Sequence, residues 1–243
     1  RKSFSKEKID GYIIPKNDEF FGEYTPWHKD RLNYISNFSG SFGFALIFKN
    51  KNYLFVDGRY TLQAIKQSGK FFKIITFPKK MPRDILKDKK FTIGFDPHLF
   101  TKKTIEKFFG GNSCKFKSIE KNLIDKIWKR NNKLSKSNFY KLPEKSAGES
   151  YKSKINKIIY NLKKRGANYH FITSSENIAW LFNIRGRDTK YTPLPHSYVL
   201  INRNEDIKFF CDLKKIPKTL KTDRKKIKFL KEKSLSENLT KIN

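Results

Sequence analysis

Much that would settle this chain's chemistry at once is scarce in it. It holds two cysteines in 243 residues, Cys114 and Cys211. They are too few and too far apart for a CxxC pair or a secreted disulfide framework, so idle or buried thiols in a reducing compartment, the cytoplasm, are expected. Apolar runs are short: Gly43 to Phe48 is typical of the longest, about a third of the ~20 residues that a membrane span needs, and no membrane partner is expected. Acids are scarce as well, with 23 Asp plus Glu against 54 Lys plus Arg, a net charge of +31. Such an excess invites a nucleic-acid reading. Yet only 10 of the bases are arginine and 44 are lysine, whereas bidentate recognition of phosphate and guanine favours the arginine fork. Two Val and 5 Ala beside 25 Ile and 19 Asn point to drift toward A- and T-rich codons, which makes the lysines a solvated coat and leaves nucleic acid outside the expected partners.

Ready-made active sites are missing too. None of His28, His98, His170 and His196 lies three to five residues from another, and no HExxH, paired-cysteine or DxD cluster supplies the three to five converging ligands of a hydrolytic metal. No G-x-S-x-G, Walker A or G-x-G-x-x-G occurs; Gly40-Ser41-Phe42-Gly43 reads as a turn whose glycines admit positive φ. No catalytic residue and no metal ligand is therefore assigned within the chain.

What is present is a core-forming composition, 37% hydrophobic and 15% aromatic with 23 Phe, arranged as short strand-like runs between helical ones. That alternation predicts an α/β fold. Strands are expected at Tyr12 to Pro15, Phe44 to Phe48, Tyr53 to Val56, Phe72 to Phe77 and Phe91 to Phe95. Asn50-Lys51-Asn52 reads as a tight hairpin in which Asn tolerates left-handed backbone. From Arg59 to Lys70 the positions Tyr60, Leu62, Ile65 and Ala64 suit a buried helix face ending near Gly69, and a second helix is expected over Thr104 to Phe109. The stretch 129–148, with few apolar residues and no period, reads as a linker between a first domain, 1–128, and a second, 149–243. Beyond it Tyr151, Ile155, Ile158, Ile159 and Leu162 form one face of a helix closed by Gly166; Tyr169 to Thr173 reads as a strand. Thr173 with Glu176 matches a capping box opening a helix that buries Ile178, Leu181 and Phe182. Ser197 to Ile201 and Ile207 to Cys211 form a hairpin, and Leu235, Leu239 and Ile242 mark a further helix in a lysine-dense tail. The chain opens on Arg1 with Met81 its single methionine, and is expected to be part of a longer product.

Two polar segments attract attention. Arg185-Gly186-Arg187-Asp188 can hold a phosphate or carboxylate between its guanidiniums, or form a loop salt bridge. Asp57-Gly58-Arg59-Tyr60 sits where a buried strand hands over to a helix, the usual place for a site in α/β folds. There Arg59 either clamps a carboxylate or peptide terminus, or pairs with an acid while Asp57 caps the helix.

An ordered series of motifs then becomes recognisable. Gly11-Tyr12-Ile13-Ile14-Pro15, Glu23-Tyr24, the run from Arg31 to Gly43, and Asp57-Gly58-Arg59-Tyr60 with Leu62-Gln63-Ala64 come first. Gly94-Phe95-Asp96-Pro97, the run from Asn122 to Trp128, and the run from Glu176 to Gly186 with Asp188 follow. Together they resemble the N-terminal region of three-domain Xaa-Pro aminopeptidases, the aminopeptidase P enzymes of the creatinase and prolidase superfamily. The resemblance implies two creatinase-like α/β domains, each a mixed β-sheet flanked by helices and the second incomplete here, preceding a pita-bread catalytic domain. That domain, absent from this sequence, would carry two divalent metal ions, commonly manganese, and remove the first residue of peptides with proline second. It also implies a homodimer in the full-length form, with the present segment supplying substrate gating and dimer contacts. One functional residue carries over: Arg59 matches a peptide-contacting arginine of cytosolic members. The regions Phe20 to Lys29 and Pro193 to His196 depart from the pattern. The competing expectations are a stand-alone peptide- or partner-binding module without catalysis and, behind it, a basic nucleic-acid binder.

Overall fold

The computed structural model describes residues 1–130 and 137–242; residues 131–136, inside the stretch read as a linker, lie outside the described residues. The chain divides into two compact units, Arg1–Asn132 and Lys133–Asn243.

The first unit contains, in order, α1 (Lys2–Glu7), β1 (Gly11–Pro15), α2 (Arg31–Ser36), β2 (Phe44–Phe48), β3 (Asn52–Asp57), a 3-10 turn (Gly58–Tyr60), α3 (Thr61–Ser68), β4 (Lys73–Phe77), α4 (Pro82–Leu86), β5 (Thr92–Phe95), α5 (Lys102–Phe109) and β6 (Lys115–Ser118). Its six-stranded sheet has the order β4-β3-β2-β1-β5-β6. Only the β1-β2 and β2-β3 pairs are antiparallel, so β2 runs against five strands that share one direction. Side chains alternate across each strand, and both faces are covered. Tyr12, Ile14, Ala45, Leu54 and Val56 pack with Leu32 of α2 and Ala64 of α3. Ile13, Phe44, Leu46, Phe55, Ile75 and Ile93 pack on the other face with Leu86 of α4 and Ile105 and Phe109 of α5. Each such side chain contributes about 1.5–3 kcal/mol by leaving water. The central β1, buried at all five positions, therefore reads as an unbroken apolar run rather than an alternating one.

The second unit contains β7 (Tyr140–Lys141), α6 (Glu144–Ala147), α7 (Tyr151–Lys164), β8 (Tyr169–Ile172), α8 (Ser175–Phe182), β9 (Ile184–Arg185), β10 (Tyr198–Asn202), β11 (Ile207–Cys211), a 3-10 turn (Leu213–Lys215), α9 (Lys218–Asp223), β12 (Ile227–Lys231), a 3-10 turn (Glu232–Ser234) and α10 (Leu235–Thr240). Its four-stranded sheet has the order β12-β11-β10-β8, with β11 and β12 parallel and the other pairs antiparallel. Ile155, Ile159 and Leu162 of α7, Leu181 and Phe182 of α8 and Leu220 of α9 bury one face of it against Val199, Ile201 and Phe209. α8 ends at Asn183, whose φ of +50° closes the helix in the left-handed region. The buried Lys154 donates to Trp180 O and Asn183 Oδ1, both at 2.9 Å, placing a cation at the negative end of α8. Burial lowers the pKa of that ammonium, the nearby Glu149 opposing the shift.

The α/β class, the mixed sheets with flanking helices, the β2-β3 and β10-β11 hairpins and the α7 face agree with expectation. Other local readings do not. α3 turns Ala64 and Ser68 inward and leaves Leu62 and Ile65 84% and 54% exposed. Small residues let it lie close to the sheet, where Ser68 Oγ donates to Ser36 O at 2.7 Å. The turn at Asn50 uses no positive φ, and neither Gly40 nor Gly43 has one; Gly43 is instead required by crowding, since a Cβ there would lie 2.9 Å from Phe55 O. The cap of α8 is Ser174, not Thr173, its Oγ accepting from the Asn177 N–H. The stretch read as a linker is folded from Phe139 onward: Phe139 is 1% exposed in the second core, and β7 pairs with β9. α9 and β12 arise from the lysine-dense tail, where no element was expected before Leu235.

Candidate functional site

Because β1, β3 and β5 run in one direction, their carboxyl ends bring three polar segments to the same edge of the first sheet: the loop after Pro15, Asp57 to Tyr60, and Asp96-Pro97. Asp57 is extended and accepts the N–H of Arg59 on Oδ1 at 2.9 Å, as a cap does. The same carboxylate takes the Nε and Nη2 edge of the Arg59 guanidinium, with Nη2 to Oδ2 at 2.7 Å and Nε to Oδ1 at 3.2 Å. This hydrogen bonding holds the Asp57 carboxyl below its ordinary pKa and raises that of Arg59. The guanidinium lies 5.2 Å over the Tyr60 ring, and the Tyr60 hydroxyl is 2.9 Å from Ser41 Oγ. Arg59 is thus fixed on one edge, with a side chain 70% exposed and its Nη1 in none of the bonds to Asp57. A cleft of about 360 Å³ opens here, lined by Arg59, Glu23 and the rings of Phe21, Phe42, Phe100 and Phe108 among others.

The loop after β1 is held by buried charge. Lys16 Nζ meets Asp30 Oδ2 at 2.5 Å, both side chains nearly inaccessible, and Asp30 caps α2 through the Asn33 N–H at 3.0 Å. Arg31, with a side chain 4% exposed, forks onto Asp125 at 2.8 and 2.9 Å and reaches Glu19 at 2.7 Å. Burial pulls the Glu19 carboxyl up, but Lys29 and Arg31 outweigh it and bring the pKa to about 2. Asp96 accepts Asn122 Nδ2 on one oxygen at 2.7 Å and the His98 N–H on the other at 2.9 Å. The motifs around Arg31, Asp96 and Asn122 are therefore ties that hold the edge, leaving Arg59 and Glu23 as the exposed charges among the motif residues that line the cleft.

In the second unit the Arg185 to Asp188 segment does not pool its guanidiniums. Arg185 Nη1 donates to Ala179 O at 2.5 Å, Arg187 is exposed, and Asp188 pairs with Lys215 while accepting the His196 N–H at 2.8 Å. This is the loop salt bridge of the two readings, with lysine as the partner. Gly186 is required by close approach, since a Cβ would lie 2.7 Å from Leu194 O. Burial raises the Cys211 thiol to about 12, which leaves it inert. No group of three or more His, Cys, Asp or Glu able to hold a metal ion occurs among the described residues. No helix among them is long and apolar enough to cross a membrane.

Comparison with known proteins places this geometry in context. Two family models, both described as Creatinase/Prolidase N-terminal domain, match residues 1–127 and 130–243. The chain belongs to the creatinase/prolidase N-terminal family. A probable Xaa-Pro aminopeptidase P of Coprinopsis cinerea is 31% identical over 221 residues, which are 86% of this chain and 35% of that protein. Aminopeptidase P1 of Lotus japonicus is 30% identical over 88% of this chain and 33% of its own length. The creatinase-like chain thus spans about a third of these relatives. A solved X-prolyl aminopeptidase from Caenorhabditis elegans, described as a cytosolic enzyme with a di-nuclear active site, has the same fold: TM-score 0.91 and 24% identity over 99% of this chain and 42% of that one. The described residues do not fit a di-nuclear metal site, since no three of their His, Cys, Asp or Glu side chains converge.

Phe21, Asp18 and the Lys16–Asp30 pair at this edge were not singled out from the sequence. A positive φ at a bulky residue and an ion pair 14 positions apart leave no periodic signal.

Proposed function

We propose that this chain is the noncatalytic portion of a cytoplasmic metallo-aminopeptidase that removes the first residue from peptides with proline in second position. Its part is to hold and gate the peptide through Arg59 and to contribute contacts to a homodimer, while the metal ions and their ligands belong to chain outside the residues given. The observation that carries the reading is the similarity to Xaa-Pro aminopeptidases over 86% of the chain. The chemistry agrees with it: Asp57 fixes the guanidinium in one orientation, so Nη1 is presented to a peptide carbonyl with little further ordering. A rigid charge on a supporting domain can position a substrate that is cleaved elsewhere.

The intact protein, assayed with Xaa-Pro peptides, should release the first residue in the presence of manganese and cease on chelation. Arg59→Ala should lower kcat/KM about tenfold or more while leaving the fold unchanged by circular dichroism. No metal-dependent release from any Xaa-Pro peptide would sink the aminopeptidase reading. Full turnover by Arg59→Ala would reduce that residue to a partner of its cap.

A further inference from the structure

Phe21 is unusual in backbone and side chain together. Its φ is +56°, in the left-handed region that a bulky residue occupies only when its surroundings impose it. Its side chain is 50% exposed, so burial returns little for the strain. Asp18 imposes the turn: its Oδ1 accepts the Phe20 N–H at 3.0 Å and its carbonyl accepts the Phe21 N–H at 3.2 Å. Asp18 is itself 1% exposed, and its Oδ2 has no hydrogen-bond partner. A strained backbone and a desolvated carboxylate oxygen are both sustained to keep one aromatic ring out of the core.

That ring forms part of the 360 Å³ cleft, whose apolar wall also includes Phe42, Phe44, Phe100 and Phe108 together with Leu99 and Pro15. Charge narrows what can enter. The Lys16 ammonium is taken up by Asp30, and the Arg59 guanidinium is matched by Asp57, with Glu23 a second carboxylate close enough to act on it. Two acids beside one guanidinium disfavour a free carboxylate ligand, whereas Arg59 Nη1 can still donate to a neutral carbonyl. The fitting occupant is an uncharged stretch of peptide main chain bearing a large apolar side chain.

We propose that Phe21 and the phenylalanine-lined cleft behind it form a side-chain subsite, in which an aromatic or large aliphatic residue of a bound peptide sits while Arg59 Nη1 donates to that peptide's main-chain carbonyl. The proposal rests on the peptide-binding reading above and adds to it a selectivity for one residue type. Asp18 acts as a positioning residue for Phe21.

The test is titration of the intact protein with N-acetyl-phenylalaninamide and N-acetyl-glycinamide, followed by saturation-transfer NMR. The phenylalanine amide should bind about tenfold more tightly, the scale of one enclosed aromatic contact. Phe21→Gly, which accepts a φ of +56° without strain, should fold at least as well and bring the two amides to within about twofold; Phe21→Tyr should keep the preference. Equal binding of the two amides, or a preference unchanged in Phe21→Gly, overturns the subsite. Xaa-Pro turnover measured in parallel separates the two readings: turnover without the preference removes the subsite alone, and the preference without turnover removes the peptidase reading while keeping the cleft.

Discussion

The two units repeat one half-sheet and finish it differently. In the first, β1, α2, the β2-β3 hairpin, a 3-10 turn, α3 and β4 follow one another; in the second, β8, α8, the β10-β11 hairpin, a 3-10 turn, α9 and β12 come in that order, with only the short β9 inserted after α8, and with the same strand directions. Aligning Asp57 with Asp212 pairs Leu54 with Phe209, and each packs on a helix-covered face of its sheet. Asp57 Oδ1 accepts the N–H of Arg59, and Asp212 Oδ1 accepts the N–H of Lys214, at 2.9 and 3.0 Å. The capping aspartate thus belongs to the repeated architecture. What the first unit adds at this position is the arginine forked onto that aspartate, beside the phenylalanine-lined cleft. Comparison within one chain therefore separates the part of the DGRY motif that serves folding from the part available for binding.

The largest expected effects test the repeat itself. Leu54→Ala and Phe209→Ala remove equivalent, fully buried side chains, and each should cost about 3–5 kcal/mol in chemical denaturation followed by hydrogen exchange in its own unit. A large cost at one and almost none at the other would break the equivalence. Next comes the start of the helix after the first strand, where α2 opens with buried Arg31 and α8 with buried Ser175. Arg31→Leu takes one of two cations from each of Asp125 and Glu19, which keep Arg130 and Lys29, and should cost about 1.5–3 kcal/mol for the lost charged hydrogen bonds. Ser175 Oγ has no partner, so Ser175→Ala should cost nothing in the same experiment.

Acidity sharpens the contrast further. Burial, opposed by Lys29, raises the Asp18 carboxyl to about 6. The unfolded chain ionises there near pH ~4, so the folded state is penalised increasingly as pH rises from about 4 to about 6, and fully above that. Asp18→Asn should therefore stabilise the first unit by about 1–3 kcal/mol near pH ~7.5 and by nothing near pH ~4, as measured by urea unfolding at the two pH values. Glu19 runs the other way. Its pKa of about 2 gives stability that is present above the ordinary carboxylate value and lost as pH falls toward 2. The smallest pair is Asp57→Ala and Asp212→Ala, each expected to cost about 1 kcal/mol as a lost cap. Only Asp57→Ala should also weaken peptide binding, because it alone releases an arginine.

The hairpins and α7 were legible because their apolar positions recur at the period of the element they form. α3 was partly misread by the same rule: Leu62 and Ile65 have helical spacing but face outward, and the face that packs is made of Ala64, which was expected there, and Ser68, which a search for apolar residues passes over. β12 and β6 were hidden by lysine. In Ile227–Lys231 a lysine parts Ile227 from Phe229, in Lys115–Ser118 lysines flank the single Phe116, and strands this short rest on their neighbours more than on their own composition. At the site, Arg59 was legible from its place after a buried strand. The exposed setting of Phe21 was not, because it arises from a turn made by the Asp18 carboxylate, and Phe20 and Phe21 are alike in sequence while one is buried and the other exposed.

The flank of β8 has a further consequence. β1 lies between β2 and β5, but β8 is the outer strand of its sheet, with Tyr169, His170 and Phe171 all exposed. An outer strand with aromatic side chains is a template on which a neighbouring molecule can extend the sheet. At +31, like molecules repel before their edges meet, over a range set by a Debye length of ~8 Å at physiological salt. The lysine excess then acts as colloidal insulation for an adhesive border, and the concentration of dissolved salt decides how well it insulates.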